Sequence, residues 1–312
     1  VKKNINRNDF AVAVSGGADS LCLSYFSKLY SSKFKNKIYI LIVNHNIRKE
    51  SNKEALQVKK ILINKKIKSE ILSWKGKTPK SNIQSNARNF RYLLLSNYCL
   101  KKNIRYLMTA HHMDDQIENF YIRLLRGSGV SGLSSMPEKS NYNINLKILR
   151  PFLQIKKNEL EHATTNYFKS FIKDPSNSNE KFLRVRIRKF RSDIERVGVN
   201  DTKIIKTINN LLSSNDSTNF YKNKAFNKYV TFLNKDTCEV DIKIFSNESG
   251  EIIFKLFSDL ISLISKTYYP PRSAKVLSLI KRLKKVKYKK STLGGCIIEK
   301  KEGFVSILKE KK

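Results

Sequence analysis

Acidic residues are scarce. The 312-residue chain has 26 Asp and Glu against 62 Lys and Arg, a formal charge of +36 at neutral pH. Such a field attracts polyanions and speeds their capture. Abundant Lys, Asn and Ile are also what an AT-rich genome produces, but codon drift does not explain so few acids, so nucleic acid is the expected partner. Cysteine is scarce as well. Cys22, Cys99, Cys238 and Cys296 stand far apart, with no C-x-x-C and no paired His-x-x-x-His. That argues against a zinc site, a redox pair or a disulfide framework, and for a reducing cytoplasm in which the thiols are small buried apolar groups. No run of about 18 apolar residues occurs, so no membrane span is expected. The start, Val1-Lys2-Lys3-Asn4, lacks the apolar core of a secretory signal. It also lacks Met, so a trimmed or non-standard start is expected. There is no tandem repeat.

What is present is a globular chain, 40% hydrophobic and long enough for two domains. Its organising stretch is Ser15-Gly16-Gly17-Ala18-Asp19-Ser20. An apolar run, Phe10–Val14, precedes it and a helical pattern from Leu21 follows, so the order is buried strand, glycine turn, helix start. Paired glycines let the backbone turn sharply and approach a ligand closely. The first N–H groups of the helix then favour an anion. No Gly-Lys-Ser/Thr closes the turn, so it is not a Walker A loop. Asp19 is out of place beside bare phosphate and makes sense if a divalent cation bridges it to the phosphates. The plainer alternative is a turn whose Ser15 or Ser20 caps the helix.

Strands are expected at 10–14, 37–43, 69–74, 105–110 and 148–153. Helices are expected at 18–32, 50–66, 83–102, 116–126 and 156–169. This alternation predicts an α/β fold with a doubly wound parallel sheet over residues 1–200. In such a sheet ligands bind beyond the carboxyl ends of the strands. The turns Ser15–Ser20, Asn44–Arg48 and His111–Asp115 therefore converge on one crevice. Residues 201–235 read as a polar helical linker. Residues 236–312 read as a smaller C-terminal α+β domain, with a strand at 238–245, helices at 249–265 and 273–284, and strands near 292–299 and 303–309.

Asp114, Asp115 and Glu118 cluster in a chain short of acids. Their spacing puts them on one helix face, where they can hold Mg²⁺ or a cationic substrate, and one of them can simply cap the helix. His111 and His112 can position phosphate or move a proton, and one of them can be a satisfied turn histidine. His162 reads as a surface residue. Arg123, Arg126 and Arg150 fall near the crevice mouth, and Arg184-Val185-Arg186-Ile187-Arg188 alternates basic with apolar residues. Arginine forks suit phosphate, the alternative being a solvated face. The densest basic run, Lys281–Lys290, reads as an RNA-backbone contact or a solvated helix.

The Ser15–Ser20 stretch resembles the loop of N-type ATP pyrophosphatases. Val43-Asn44-His45-Asn46-Ile47-Arg48, Thr109–Glu118, Arg126–Leu133 and Arg150-Pro151-Phe152 continue the likeness in order, and together resemble the tRNA(Ile)-lysidine synthase family over about residues 10–190. Thr292–Cys296 resembles the end of its shorter members. Asn119 and Phe120 stand where the family often has Thr and a small or apolar residue after Glu118, and Asn46 stands where Gly is common.

The resemblance implies a ligase that uses ATP and Mg²⁺ to adenylate the wobble cytidine of the CAU-anticodon isoleucine tRNA. L-lysine then displaces AMP. It implies Ser15, Gly16, Gly17, Ala18, Asp19 and Ser20 at ATP, with Asp19 at the metal, and Asp114, Asp115 and Glu118 at lysine. It implies Asp19, His112 and Asp115 as catalytic residues. Arg91, Arg123, Arg150, Arg184 and Arg188 fall at phosphate or RNA, and the C-terminal domain holds tRNA. A homodimer is one assembly open to it. Two rival readings stay open: another PP-loop tRNA-modifying enzyme such as a thiolase, and a catalytically silent RNA-binding protein. Thiolation calls for a sulfur-relay cysteine or a C-x-x-C, and neither is evident.

Overall fold

The computed structural model describes residues 5–46, 50–76, 83–143, 145–172, 183–267, 270–285 and 288–310. The chain divides into two compact units, Val1–Leu211 and Leu212–Lys312.

In the first unit, β1 (Phe10–Val14), β2 (Ile38–Asn44), β3 (Ser69–Ser73), β4 (Tyr106–Met108), β5 (Lys139–Asn141) and β6 (Lys147–Leu149) form one sheet in the order β3-β2-β1-β4-β6-β5. All neighbours are parallel except β5 with β6. Val12 lies opposite Ile40 on one side and Met108 on the other. The connecting helices are α1 (Ala18–Phe34), α2 (Ser51–Asn64), α3 (Ile83–Lys101), α4 (Met113–Leu125), the short α5 (Val130–Leu133), α6 (Lys157–Phe168) and α7 (Leu183–Arg196).

The central strands are apolar at every position because both faces of the sheet are covered. Val12, Val14, Ile40 and Ile42 pack with Leu21, Val58, Leu62, Leu160 and Phe168. The alternate residues Ala11 and Leu41 pack with Leu95, Cys99, Leu107 and Ile148. The strand order reverses between β1 and β4, which opens a crevice at their carboxyl ends.

The second unit is an antiparallel sheet with helices. β7 (Val230–Asn234), β8 (Thr237–Asp241), β9 (Lys290–Leu293), β10 (Cys296–Lys300) and β11 (Phe304–Lys309) take the order β7-β8-β11-β10-β9. Its core joins Val240, Ile298, Val305 and Ile307 of the sheet to Leu256, Phe257, Leu260 and Ile261, which lie within residues 250–265, and to Val276 and Leu279.

Several expectations are revised. The stretch expected as a polar helical linker is helical over α8 (Asp201–Tyr229) and is followed by β7. The division between units falls inside α8, and Ala225 and Tyr229 belong to the second core. Apolar residues spaced for one stripe, not a break in composition, decide where such a helix belongs. The strand expected at 238–245 ends at Asp241, and Ile244–Asn247 is a helical turn, α9. The remaining helices are α10 (Gly250–Ser265) and α11 (Ser273–Leu283). The strand expected near 292–299 is a hairpin, because Gly294 and Gly295 take φ of 62° and 79° and turn the chain between β9 and β10. Arg184–Arg188, to which no element was assigned from the sequence, lies within helix α7, with Val185 and Ile187 buried.

Candidate active site

The turn from β1 to α1 is held by one hydroxyl. Ser20 Oγ accepts from the backbone N–H of Ser15 and of Gly16, each at 3.1 Å, and donates to Gly17 O at 3.0 Å. Gly17 is the N-cap, and no side chain caps the helix. Ser20 thus shapes the loop from within, and the helix start is left for a ligand. Gly16 has φ of 92°, and a Cβ there would meet Val58 Cγ2 at 2.4 Å, so only glycine fits. Its carbonyl accepts from the N–H of Ile172 at 3.0 Å. Asp19 Oδ1 is buried with no hydrogen-bond partner. Such an oxygen costs free energy unless something satisfies it.

The turn after β4 faces this loop. His112 is the N-cap of α4 in a capping box with Asp115. Its Nδ1 accepts from Asp115 N–H at 3.4 Å, and its own N–H donates to Asp115 Oδ2 at 3.2 Å. The first bond assigns the ring proton to Nε2, which lies 3.5 Å from Asp19 Oδ2 and 3.5 Å from Asp115 Oδ2. Burial opposes charge on His112, but Asp19, Asp115 and Asp114 outweigh it and raise its pKa. His111 behaves oppositely. Burial, joined by Arg150, Arg88 and Arg184, pushes it down to about 4 against the pull of Asp115. It is neutral at pH 7, and its Nδ1 meets Thr109 Oγ1 at 2.9 Å. Neighbouring histidines are thus split, one drawn toward the cation and one held neutral.

The acidic cluster is already supplied with cations. Glu118 is buried, and Arg188 reaches it through Nε at 2.5 Å and Nη2 at 3.4 Å. Asp114 Oδ1 accepts from Arg191 Nη1 at 2.6 Å, and its Oδ2 accepts from the N–H of Lys157 at 2.9 Å. Burial works against the Asp114 carboxylate, but these bonds prevail and lower its pKa. The other nitrogens of Arg191 face Asp201, Nε at 3.0 Å and Nη2 closer. Among the described residues, no arginine or lysine pairs with Asp115. The sequence reading missed Arg191, Asp201 and Gln116. Gln116 is buried and binds Met136 N–H, Met136 O and Ser135 Oγ, so α4 also fastens the segment before β5. The only signal for the arginines was spacing: 188 and 191 share a helix face, as do 114 and 118.

The remaining predicted residues divide. Asn44 is buried, and His45 Nε2 lies 3.4 Å from Arg91 Nε. Burial, then Arg91, pushes His45 down to about 4. Asn46 has φ of 51°, which explains an Asn where Gly is common. Ile47 and Arg48 lie outside the described residues, as do Val286 and Lys287 of the basic run. Arg150 is buried and donates to Pro137 O and Ser140 Oγ, each at 2.9 Å. Arg123, in the last turn of α4, and Arg184, in the first turn of α7, are exposed. Arg188 is at Glu118, as above. Lys281, Arg282, Lys284, Lys285, Lys289 and Lys290 are exposed on the second unit. The described residues hold no group of three or more His, Cys, Asp or Glu arranged for a metal ion.

A family model described as a PP-loop domain matches residues 1–192. The chain is 34% identical to the tRNA(Ile)-lysidine synthase of Orientia tsutsugamushi strain Boryong, covering 96% of this chain and 69% of that protein. It is 35% identical to the tRNA(Ile)-lysidine synthase of Wolbachia pipientis wMel, covering 97% of this chain and 71% of that protein. Among solved structures it is similar to the U34-tRNA thiolase NcsA from Methanococcus maripaludis with its [4Fe-4S] cluster. There the TM-score is 0.57 at 17% identity, over 68% of this chain and 76% of that one, a likeness of fold.

Proposed function

The chain belongs to the tRNA(Ile)-lysidine synthase family of PP-loop proteins, and from that premise we propose that it ligates L-lysine to C2 of the wobble cytidine in a CAU-anticodon isoleucine tRNA at the expense of ATP. The observation that carries this reading is the junction at His112. Its Nε2 lies 3.5 Å from Asp19 of the phosphate loop and 3.5 Å from Asp115 of the acidic turn, so the ATP end and the amine end of the reaction meet at one side chain.

The Ser15–Ser20 loop receives the triphosphate on backbone N–H groups. The C2 oxygen attacks the α-phosphate, pyrophosphate leaves, and a poor leaving group becomes AMP. The side-chain amine of lysine then attacks C2, and AMP departs with the former C2 oxygen. Mg²⁺ fits this donor set: Asp19 Oδ1 is buried without a partner, and Mg²⁺ is commonly bound by one or two carboxylates together with substrate phosphates. Bound there, it would neutralise charge on the phosphates.

The amine is inert as an ammonium ion and must lose a proton. Asp115 is the group placed to take it, with His112 Nε2 3.5 Å from its Oδ2 to orient it, since Asp114 and Glu118 already hold Arg191 and Arg188. We assign an ammonium of lysine to Asp115 for the same reason. Arg91, Arg123 and Arg184 are assigned to phosphate or RNA, with Arg150 bracing the β5–β6 hairpin. The second unit, with the exposed Lys281, Arg282, Lys284, Lys285, Lys289 and Lys290, is assigned to the tRNA body.

Thiol chemistry is disfavoured. All four cysteines are buried, and burial raises each thiol, Cys22 and Cys296 to about 11 and Cys99 and Cys238 to about 12. The test is transfer of labelled lysine. Label should enter CAU-anticodon isoleucine tRNA with one AMP released, and should not enter the CAU-bearing methionine tRNA. RNA that stays unlabelled overturns the reading.

A further inference from the structure

Two arginines of α7 meet two acids of α4 as rungs of a ladder, Arg188 with Glu118 and Arg191 with Asp114. The rungs run in opposite directions along the two helices, since the higher-numbered arginine takes the lower-numbered acid. Arg191 has a second attachment. Nη1 points at Asp114 while Nε and Nη2 form a fork on Asp201, at the start of α8. All three side chains are largely buried, at 15% exposure for Arg191, 20% for Asp114 and 17% for Asp201. A guanidinium held on both edges does not swing away to a passing phosphate.

We infer that Arg191 is a specificity-determining residue: braced by Asp201, it silences Asp114, so that Asp115 alone is left to receive a cation in the amine-binding part of the site. The inference rests on the function proposed above. Of the three acids in the turn, Glu118 is paired with Arg188 and Asp114 with Arg191, while among the described residues no arginine or lysine is paired with Asp115, whose ion-pair partner is His112. One uncompensated carboxylate matches the single net positive charge of lysine. Two would favour a diamine, which has the same two ammonium groups and no carboxylate. Asp114 is the candidate for that second acceptor, because loss of Arg191 would free its Oδ1 while the Lys157 N–H keeps Oδ2. Arg191 thus works by removing an attraction the site would otherwise offer to the wrong amine.

The experiment compares lysine with cadaverine, its decarboxylated analogue, in tRNA-dependent AMP release by the full chain. Arg191→Gln should raise the cadaverine-to-lysine ratio of kcat/KM about tenfold, the worth of one uncompensated charge at a partly buried site. Arg191→Lys, which keeps the charge but not the fork on Asp201, should shift the ratio less than Arg191→Gln does, by about threefold, and adding Asp114→Asn to Arg191→Gln should return the ratio to wild type. A merely structural strut would lower both substrates together, and Asp114→Asn would not rescue it. An unmoved ratio in Arg191→Gln, or no rescue, overturns the inference. If Arg191→Gln does not fold, Asp201→Asn carries the test with a shift of about threefold in the same direction, and no shift there overturns it. Failure of the wild type to use lysine at all would strike the functional reading instead.

Discussion

The phosphate loop and the acidic turn lie at the carboxyl ends of neighbouring strands, β1 and β4, and they are built in opposite ways. The loop is shaped chiefly by local bonds. They run from Ser20 to Ser15, Gly16 and Gly17, within five residues, and Ile172 adds one long-range bond to the Gly16 carbonyl. The acidic turn is completed from far along the chain, by Arg188 and Arg191, 70 and 77 residues after their partners. The loop leaves one acceptor, Asp19 Oδ1, unsatisfied. The turn arrives with two of its three acids matched to arginine. The loop is therefore poised to take a ligand with little rearrangement. The turn is a site whose charge has been tuned by a separate helix.

The largest expected effect breaks the loop. On the proposed role of Asp19 as a carboxylate that would hold Mg²⁺ at the phosphates, Asp19→Ala should lower adenylation, read as pyrophosphate release, by about 10³-fold. Binding of tRNA in a filter assay should change less than about twofold. Loss of both together would show that Asp19 is structural. A smaller effect concerns the ladder. Glu118→Gln leaves Arg188 without its buried partner and should destabilise the first unit by about 3 kcal/mol, at the low end for a broken buried pair because Arg188 is a third exposed. Trp74, the single tryptophan, lies in that unit and reports its denaturant unfolding by fluorescence. An unchanged midpoint would make the rung ornamental.

The smallest effect is an absence of change in mild acid. Asp114 is held below its ordinary 3.8, so the stability it contributes is complete above 3.8 and is lost only as pH falls through the lower folded value. From pH 7 to about pH 5 the amides of α7 should keep the same protection against hydrogen exchange. Loss of protection within that window would place the hold on α7 elsewhere than at Asp114.

Much of the first unit could be read in advance, for stated reasons. Runs such as Phe10–Val14 and Ile38–Val43 are apolar at every position, which only a doubly covered sheet requires, and their turns are polar. The convergence of Ser15–Ser20 and His111–Asp115 follows from strand order alone. The short elements α5 and β5 escaped because three or four residues carry no period. The split of Gly294 and Gly295 from a single strand escaped because a glycine pair reads equally as bulge or turn. His111 and His112 are adjacent and chemically alike in sequence. Their opposite shifts come from which atoms surround each ring.

The sequence by itself determined the layer order, the glycine loop with its acid, the polyanion-seeking charge and the three acids on one helix face. Each of these depends on residues close in the chain or on composition. Only the tertiary structure decided which acid is left for a cation. That depends on two arginines of α7 landing on Asp114 and Glu118, with Asp201 holding one of them in place. Charge pairing across 70 or more residues leaves no local pattern, because any of the 62 basic side chains could have supplied the partner.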